Sequence, residues 1–227
     1  MTTGTRIAGL YAIADTQYLD DARLLPAVGE AIAGGARVIQ YRDKNHSAVE
    51  RERQAGELAI FCRRHDVRFI VNDDVALAKE IHASGVHLGR EDASLAQARA
   101  QLGSQAIIGV SCYNELARAV RAQADGADYV AFGSFFASRT KPQAVRASLE
   151  LLCGAKQKLR IPVVAIGGIT PKMALTWLRP ERMPWRWLKV CLARLMCRQR
   201  LSATRDFLTC KHVGGLRAAR AALTRPT

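Results

Sequence analysis

No stretch of apolar residues in this 227-residue chain is long enough to span a bilayer. The first fifteen residues carry Arg6 and a short apolar stretch, but Asp15 follows at once and no signal-peptide pattern forms. The expectation is a soluble, cytoplasmic protein. The six cysteines, Cys62, Cys112, Cys153, Cys191, Cys197 and Cys210, form no CxxC pair and no regular spacing. Their predicted state is free, buried thiols. No GxGxxG follows the first strand-like run, which counts against a dinucleotide-binding open sheet. A nucleophile–base pair is missing too. His65, His82 and His87 have no evident catalytic partner, and Cys112 follows Ser111 without a neighbouring base. His87, inside Gly85-Val86-His87-Leu88-Gly89, reads as a satisfied strand residue.

What is present is apolar and basic. Hydrophobic residues make up 49% of the chain, enough for a large core, and the length fits one domain of the size an α/β barrel needs. The formal charge of +14 is uneven. Residues 176–200 hold seven basic side chains against one acidic, and residues 201–227 hold five against one. A basic tail of this kind could bind nucleic acid.

Up to residue 170 the chain alternates steadily. Short apolar runs at 9–14, 38–41, 69–72, 85–88, 107–111, 129–133 and 162–167 read as strands. Amphipathic stretches rich in Ala, Leu, Arg and Glu lie between them, at 21–34, 48–65, 75–84, 94–102 and 115–125. Glycines at Gly34-Gly35, Gly85 and Gly126 end or follow helical stretches. Short buried strands alternating with helices mean a parallel sheet. Seven such units in about 170 residues suggest a (β/α)₈ TIM barrel rather than an open doubly wound sheet.

Polar residues collect where these runs end, and in a barrel the carboxyl ends of the strands form the active-site face. In Val38-Ile39-Gln40-Tyr41-Arg42-Asp43-Lys44, strand periodicity puts Gln40, Arg42 and Lys44 on one side. The amide can read a heterocycle edge, the guanidinium can fork a phosphate, and the ammonium is a point charge. Later run ends contribute Asn72 and Asp73, Asp92, Ser111, the loop Ser138-Arg139-Thr140-Lys141, and Gly167-Gly168-Ile169-Thr170. Asp73 and Asp92 suit Mg²⁺, which commonly takes one or two carboxylates plus substrate phosphate. The alternative is that either one caps a following helix. Arg42, Lys44, Lys141 and Mg²⁺ would bring about five positive charges together, more than a phosphate monoester needs and fitting for a diphosphate leaving group. Residues 138–141 suit a phosphate or small polar ligand, or else form a surface turn before Pro142. Gly167-Gly168 lets backbone N–H groups approach an anion closely, or simply makes a tight turn. Such a site stabilises charge and needs no acid–base relay.

The set VIQYRDK, VNDD, GVHLGREDAS, GVSC, ADYVAFGSFFASRTK and PVVAIGGIT resembles the thiamine-phosphate synthase family over residues 7–170, with six motifs in matching order and spacing. The resemblance implies a TIM barrel and an Mg²⁺-dependent transferase. It would join 4-amino-2-methyl-5-hydroxymethylpyrimidine diphosphate to 4-methyl-5-(2-phosphoethyl)thiazole and release pyrophosphate. By the same resemblance the pyrimidine diphosphate would contact Gln40, Tyr41, Arg42, Asp43, Lys44, Asn72, Ser111 and Lys141. Asp73 and Asp92 would hold Mg²⁺. Ser138 and Thr140 would meet the thiazole phosphate side, with Gly168 contributing backbone, and Arg139 is a further substrate-binding position of the same loop. Arg42, Lys44, Lys141 and Ser111 would carry the catalytic charge stabilisation. The family often has Thr at the position of Ser138 and Pro at that of Arg139. Alternatives on the same barrel are a thiazole tautomerase and an inactive barrel that binds phosphorylated ligands.

The resemblance stops at Thr170. The family expects a seventh helix, an eighth strand resembling GADGVAVVS and a last helix. Residues 176–200 instead read TWLRPERMPWRWLKVCLARLMCRQR, with all three tryptophans between 177 and 187. Pro180 and Pro184 would disrupt a helix or central strand, so the eighth-strand region is expected to be abnormal within a single domain spanning 1–227. Back-translating 177–198 with codons ending mostly in G or C and reading two bases later yields AAPGADAVAVAEGLFGAADV. That resembles the missing strand and the start of the last helix, and LSATRDFLT (201–209) again looks like the family's terminal helix. The expectation is a frameshifted window near 176–200; the alternative is a divergent insertion. With a frameshift the tryptophan and arginine excess needs no functional reading, and nucleic acid is not an expected partner.

Overall fold

The computed structural model describes residues 7–136 and 145–169, together with the backbone of 190–195. Strand and helix alternate through β1 (Leu10–Asp15), α1 (Asp21–Ala33), β2 (Ala36–Arg42), α2 (Ala48–Arg64), β3 (Arg68–Asn72), α3 (Val75–Glu80) and β4 (Gly85–Leu88). They continue through α4 (Leu95–Leu102), β5 (Ile107–Tyr113), α5 (Leu116–Ala124), β6 (Tyr129–Phe132), α6 (Leu149–Lys158), β7 (Val163–Ala165) and β8 (Val190–Leu195). The strands pair in parallel, in sequence order, into a closed barrel. The β/α barrel expected from the alternation is therefore observed.

Barrel closure corrects one expectation. β8 pairs with β7 through Val163↔Val190 and with β1 through Leu10↔Leu192. It begins beyond both Pro180 and Pro184, so the prolines do not prevent an eighth strand, and β1 and β7 are not left as open edges. Residues 170–189 and 196–227 lie outside the described residues.

Period-2 alternation divides the core into layers. Ala12, Ala14, Ile39, Tyr41, Phe69, Val71, Val86, Leu88 and Ile108 pack outward against the helices. Val110, Cys112, Val130, Phe132, Val163 and Ala165 do the same on the other half of the ring. Tyr11, Ile13, Val38, Ile70, Ile107, Tyr129, Ala131 and Val164 form a separate cluster inside the barrel. Strands β1 to β7 thus bury both faces, which explains their nearly continuous apolar runs. Helix starts are set by side chains that accept from the third helical N–H. Asp20, Ser47, Asp74, Ser94 and Ser148 do this, and Ser94 with Gln97 forms a reciprocal capping box.

Cys62 and Cys112 are buried free thiols, and burial pushes both up to about 12. Cys153 is free but exposed, contrary to the expectation of burial: it sits on α6 beside the inward positions Leu152 and Ala155. No helix among the described residues is long and apolar enough to cross a membrane.

Candidate active site

The inward-facing row of each early strand ends in a polar group at the carboxyl end. Asp15 closes β1, Gln40 and Arg42 lie on β2, Asn72 ends β3, His87 lies on β4 and Ser111 on β5. Strand periodicity alone produces this convergence: the same alternation that buries Ile13, Val38 and Ile70 inside brings the next inward positions to the rim.

Arg42 donates to Asp15 Oδ2 at 2.7 Å, and the Asp15 side chain is 2% exposed. Asp15 also accepts from the Gln17 amide at 3.0 Å. The guanidinium is thereby held at the rim by a buried carboxylate. Lys44, in the loop after β2, donates to Asp73 Oδ2 at 2.5 Å. Asp73 has a left-handed backbone (φ 65°), and its amide donates to the His87 carbonyl at 2.8 Å. The Asp73 and Asp92 carboxyl groups lie next to one another, and Asp92 Oδ2 accepts from the Gly89 amide at 2.5 Å. Burial, and then the Asp73 contact, pushes the Asp92 carboxyl above its ordinary range.

The caps resolve an ambiguity in the sequence. Asp74, not Asp73, caps α3 by accepting from the Leu77 amide, and Ser94, not Asp92, caps α4. Asp73 and Asp92 are thus spared from capping and meet each other at the rim. Among the described rim residues, Arg42 and Lys44 face Asp15, Asp73 and Asp92, and Asp15, buried against Arg42, is a rim carboxylate that no pattern in the sequence marks. The count of about five positive charges also includes Mg²⁺ and Lys141, which lies outside the described residues.

Tyr41 and Asp43 turn away from the barrel interior. The Tyr41 hydroxyl lies 2.8 Å from Gln54 Oε1 on α2 and 3.1 Å from Asp43 Oδ2, the two acceptors sharing its one hydrogen. Burial, and then Asp43, raises the Tyr41 hydroxyl well above its usual range. Asp43 accepts from the amides of Asn45 (2.7 Å) and His46 (3.1 Å) and pairs with His46 Nδ1 at 2.7 Å. Its structural role is to shape the loop that carries Lys44. That loop borders an open pocket of about 590 Å³, lined in part by Lys44, His46, Arg51, Asn72 and Asp73.

Ser111 Oγ lies 2.8 Å from His87 Nε2, and His87 Nδ1 lies 2.9 Å from the Tyr129 hydroxyl. Burial holds the His87 imidazole down at about 4, the charge of Asp92 opposing, so the ring is neutral at ordinary pH. His87 is a satisfied strand residue, as its setting in the sequence predicts. What sequence reasoning missed is that Ser111 is one of its two partners. Arg118 from α5 was also missed. It donates to the Ser111 carbonyl at 2.8 Å and the Gly89 carbonyl at 3.1 Å, tying the ends of β4 and β5 together. Neither residue carries a local signal, because each partner lies on another strand or helix.

Gly167 and Gly168 both have positive φ (99° and 62°), and a Cβ on Gly167 would lie 2.1 Å from Ser134 Oγ. The turn after β7 therefore requires glycine at Gly167 for space as well as conformation. Ser138, Arg139, Thr140 and Lys141 lie outside the described residues. No group of three or more His, Cys, Asp or Glu that could hold a metal occurs among the described residues.

Fold and rim together define a parallel β/α barrel with a polar, charge-paired mouth at the carboxyl ends of its strands. A family model described as thiamine monophosphate synthase matches residues 10–179, and the chain belongs to that family. It is 54% identical over 169 residues to the thiamine-phosphate synthase of Nitrosococcus oceani, covering 74% of this chain and 78% of that one. It is also 54% identical over 164 residues to the enzyme of the same name from Chromobacterium violaceum, covering 72% and 78%. The solved thiamine phosphate pyrophosphorylase from Pyrococcus furiosus superimposes with a TM-score of 0.75 at 31% identity, over 89% of this chain and 94% of that one.

Proposed function

We propose that this chain is a thiamine-phosphate synthase, joining a pyrimidine methyl diphosphate to a thiazole phosphate with release of diphosphate. The observation that carries the reading is the convergence of Gln40, Arg42, Asn72 and Ser111 at one rim, in a chain of this family. The pyrimidine CH₂–O bond breaks and diphosphate leaves with the electron pair. The thiazole nitrogen supplies its lone pair to form the new C–N bond. No proton has to move, which fits a site without a free acid–base pair. Gln40 would read the pyrimidine, and Arg42, Lys44, Lys141 and Ser111 would stabilise charge developing on the leaving group. Tyr41 and Asp43 would act mainly through their backbone, since the Tyr41 side chain is bonded to α2 and the Asp43 carboxylate is engaged by Asn45 and His46 of its own loop. Ser138, Arg139, Thr140 and Gly168 would receive the thiazole phosphate. Orientation of two rings and exclusion of water supply the rest.

Mg²⁺ is the cofactor this reading includes. Asp73 and Asp92 fit it: the two carboxyl groups lie close together, outnumber the cations beside them, and would hold a divalent ion. When bound, the ion would neutralise the departing diphosphate. The soluble biosynthetic family also favours a cytoplasmic enzyme with small-molecule partners only. The test is to supply both substrates and Mg²⁺ and to quantify thiamine phosphate and diphosphate. Equal amounts of the two products are expected; substrates that bind without turnover would leave only an inactive binding barrel.

The departure of residues 176–200 from the family pattern belongs to the same proposal. We read it as a frameshifted window, whose other frame, with a consistent choice of codons, spells GADAVAVA where the family's eighth strand is expected. β8 pairs with both β7 and β1, so the barrel has no open sheet edge at this position. The expected deficit is in the thiazole phosphate half of the site, to which the family's eighth strand contributes. Restoring the other frame should raise kcat/KM. Equal activity of the two versions would make the tryptophan-rich segment a divergent insertion.

A further inference from the structure

A hydrogen-bonded chain runs through the barrel interior to Ser111. The Tyr11 and Tyr129 hydroxyls are 2.9 Å apart, Tyr129 is 2.9 Å from His87 Nδ1, and His87 Nε2 is 2.8 Å from Ser111 Oγ. Four strands, β1, β6, β4 and β5, each contribute one member. The chain is tightly housed. Tyr129 is 0% exposed, and its ring stacks on His87 with centroids 5.5 Å apart and planes 24° apart. Space for that ring exists only because residue 109 is glycine: a Cβ there would lie 1.9 Å from Tyr129 Cζ. Nothing in the diphosphate-binding role requires two buried tyrosines and a buried histidine in series.

A neutral imidazole has one N–H donor and one acceptor nitrogen, so the chain has two possible polarities. In one, Ser111 spends its hydrogen on Nε2 and presents only lone pairs to the pocket. In the other, Tyr11 donates to Tyr129, Tyr129 donates to Nδ1, and Nε2–H donates to Ser111 Oγ. The Ser111 hydrogen is then aimed outward. A leaving group that gathers negative charge rewards a donor and repels lone pairs. We propose that His87 is a positioning residue: its Nε2–H holds Ser111 as a hydrogen-bond donor to the pyrimidine diphosphate, with Tyr129, backed by Tyr11, selecting the tautomer. This rests on the thiamine-phosphate synthase reading for the identity of the substrate, but the tautomer itself does not.

The experiment joins ¹⁵N spectroscopy of the imidazoles with steady-state kinetics of Tyr129→Phe, His87→Gln and His87→Leu in the full chain. In the unaltered protein His87 should carry its proton on Nε2. Tyr129→Phe removes the donor to Nδ1 and should mix the tautomers. Its kcat should fall roughly ten- to thirtyfold, with KM for the thiazole phosphate changed less than about twofold. His87→Gln, whose amide can still donate, should keep several-fold more kcat than His87→Leu at equal thermal midpoint. A proton on Nδ1 in the unaltered protein overturns the proposal, as does undiminished kcat in folded Tyr129→Phe. An unaltered chain that makes no thiamine phosphate overturns the functional reading instead, and the spectrum still decides the tautomer.

Discussion

Replacing Asp43 with asparagine tests how much one buried charge contributes to the loop that carries Lys44. The Asp43 side chain is 1% exposed beside His46, although it lies close to the surface. Burial alone would raise its carboxyl. The Asn45 and His46 amides, then the His46 ring and the Tyr41 hydroxyl, outweigh burial and hold it at about 2. Against an ordinary aspartate near 3.9, at about 1.4 kcal/mol per unit, that depression corresponds to about 2.5 kcal/mol of folding stability; nearby solvent screens part of it, leaving roughly 1–2.5 kcal/mol. The sign follows from the direction. A depressed carboxyl stabilises the fold above the unfolded value near 3.9, and the contribution is lost as pH falls through about 2. Asp43→Asn keeps an oxygen for the two amides and loses the charge. In a domain of this size the difference should lower the thermal midpoint by roughly 3–8 °C at pH 7. The gap should close as pH approaches 2. Thermal unfolding followed by circular dichroism across pH 2–7 reads both. Equal midpoints at pH 7, or a gap undiminished at low pH, would refute the reasoning.

Lys141→Ala or Arg42→Ala should each lower kcat/KM by at least about a hundredfold, because the charge they meet develops in the transition state; steady-state rates with both substrates check this. Arg42→Ala should also lower the thermal midpoint, since it strips buried Asp15 of its partner. Asp92→Asn should weaken activation by Mg²⁺ while leaving the fold intact, and a metal titration of the rate would expose the error if the half-activating concentration does not move. Gly109→Ala forces a methyl into the Tyr129 ring and should destabilise by about 1–3 kcal/mol or more in denaturant unfolding.

Local rules carried the sequence reading a long way. Alternation of apolar runs with amphipathic stretches is enough for a parallel barrel, because strands covered on both faces must read as continuous apolar segments. Periodicity within Val38–Lys44 is enough to place Gln40 and Arg42 inside and Tyr41 outside. Some choices are invisible at that range. Adjacent Asp73 and Asp74 are chemically alike, and only the register of α3 against β3 decides that Asp74 caps while Asp73 turns to the site. Asp92 and Ser94 are separated in the same way by the start of α4. Asp15 and Arg42 are 27 residues apart, His87 and Tyr129 are 42 apart, and Tyr11 and Tyr129 are 118 apart. No local pattern marks such pairs. They exist because closing a ring of strands brings inward positions of distant segments to the same level, and a buried polar atom at that level must find its partner there. Residue types and their periodicity therefore determine the barrel and which positions face inward. Ring closure alone decides which of those positions become partners, and whether the eighth position in the ring is filled at all.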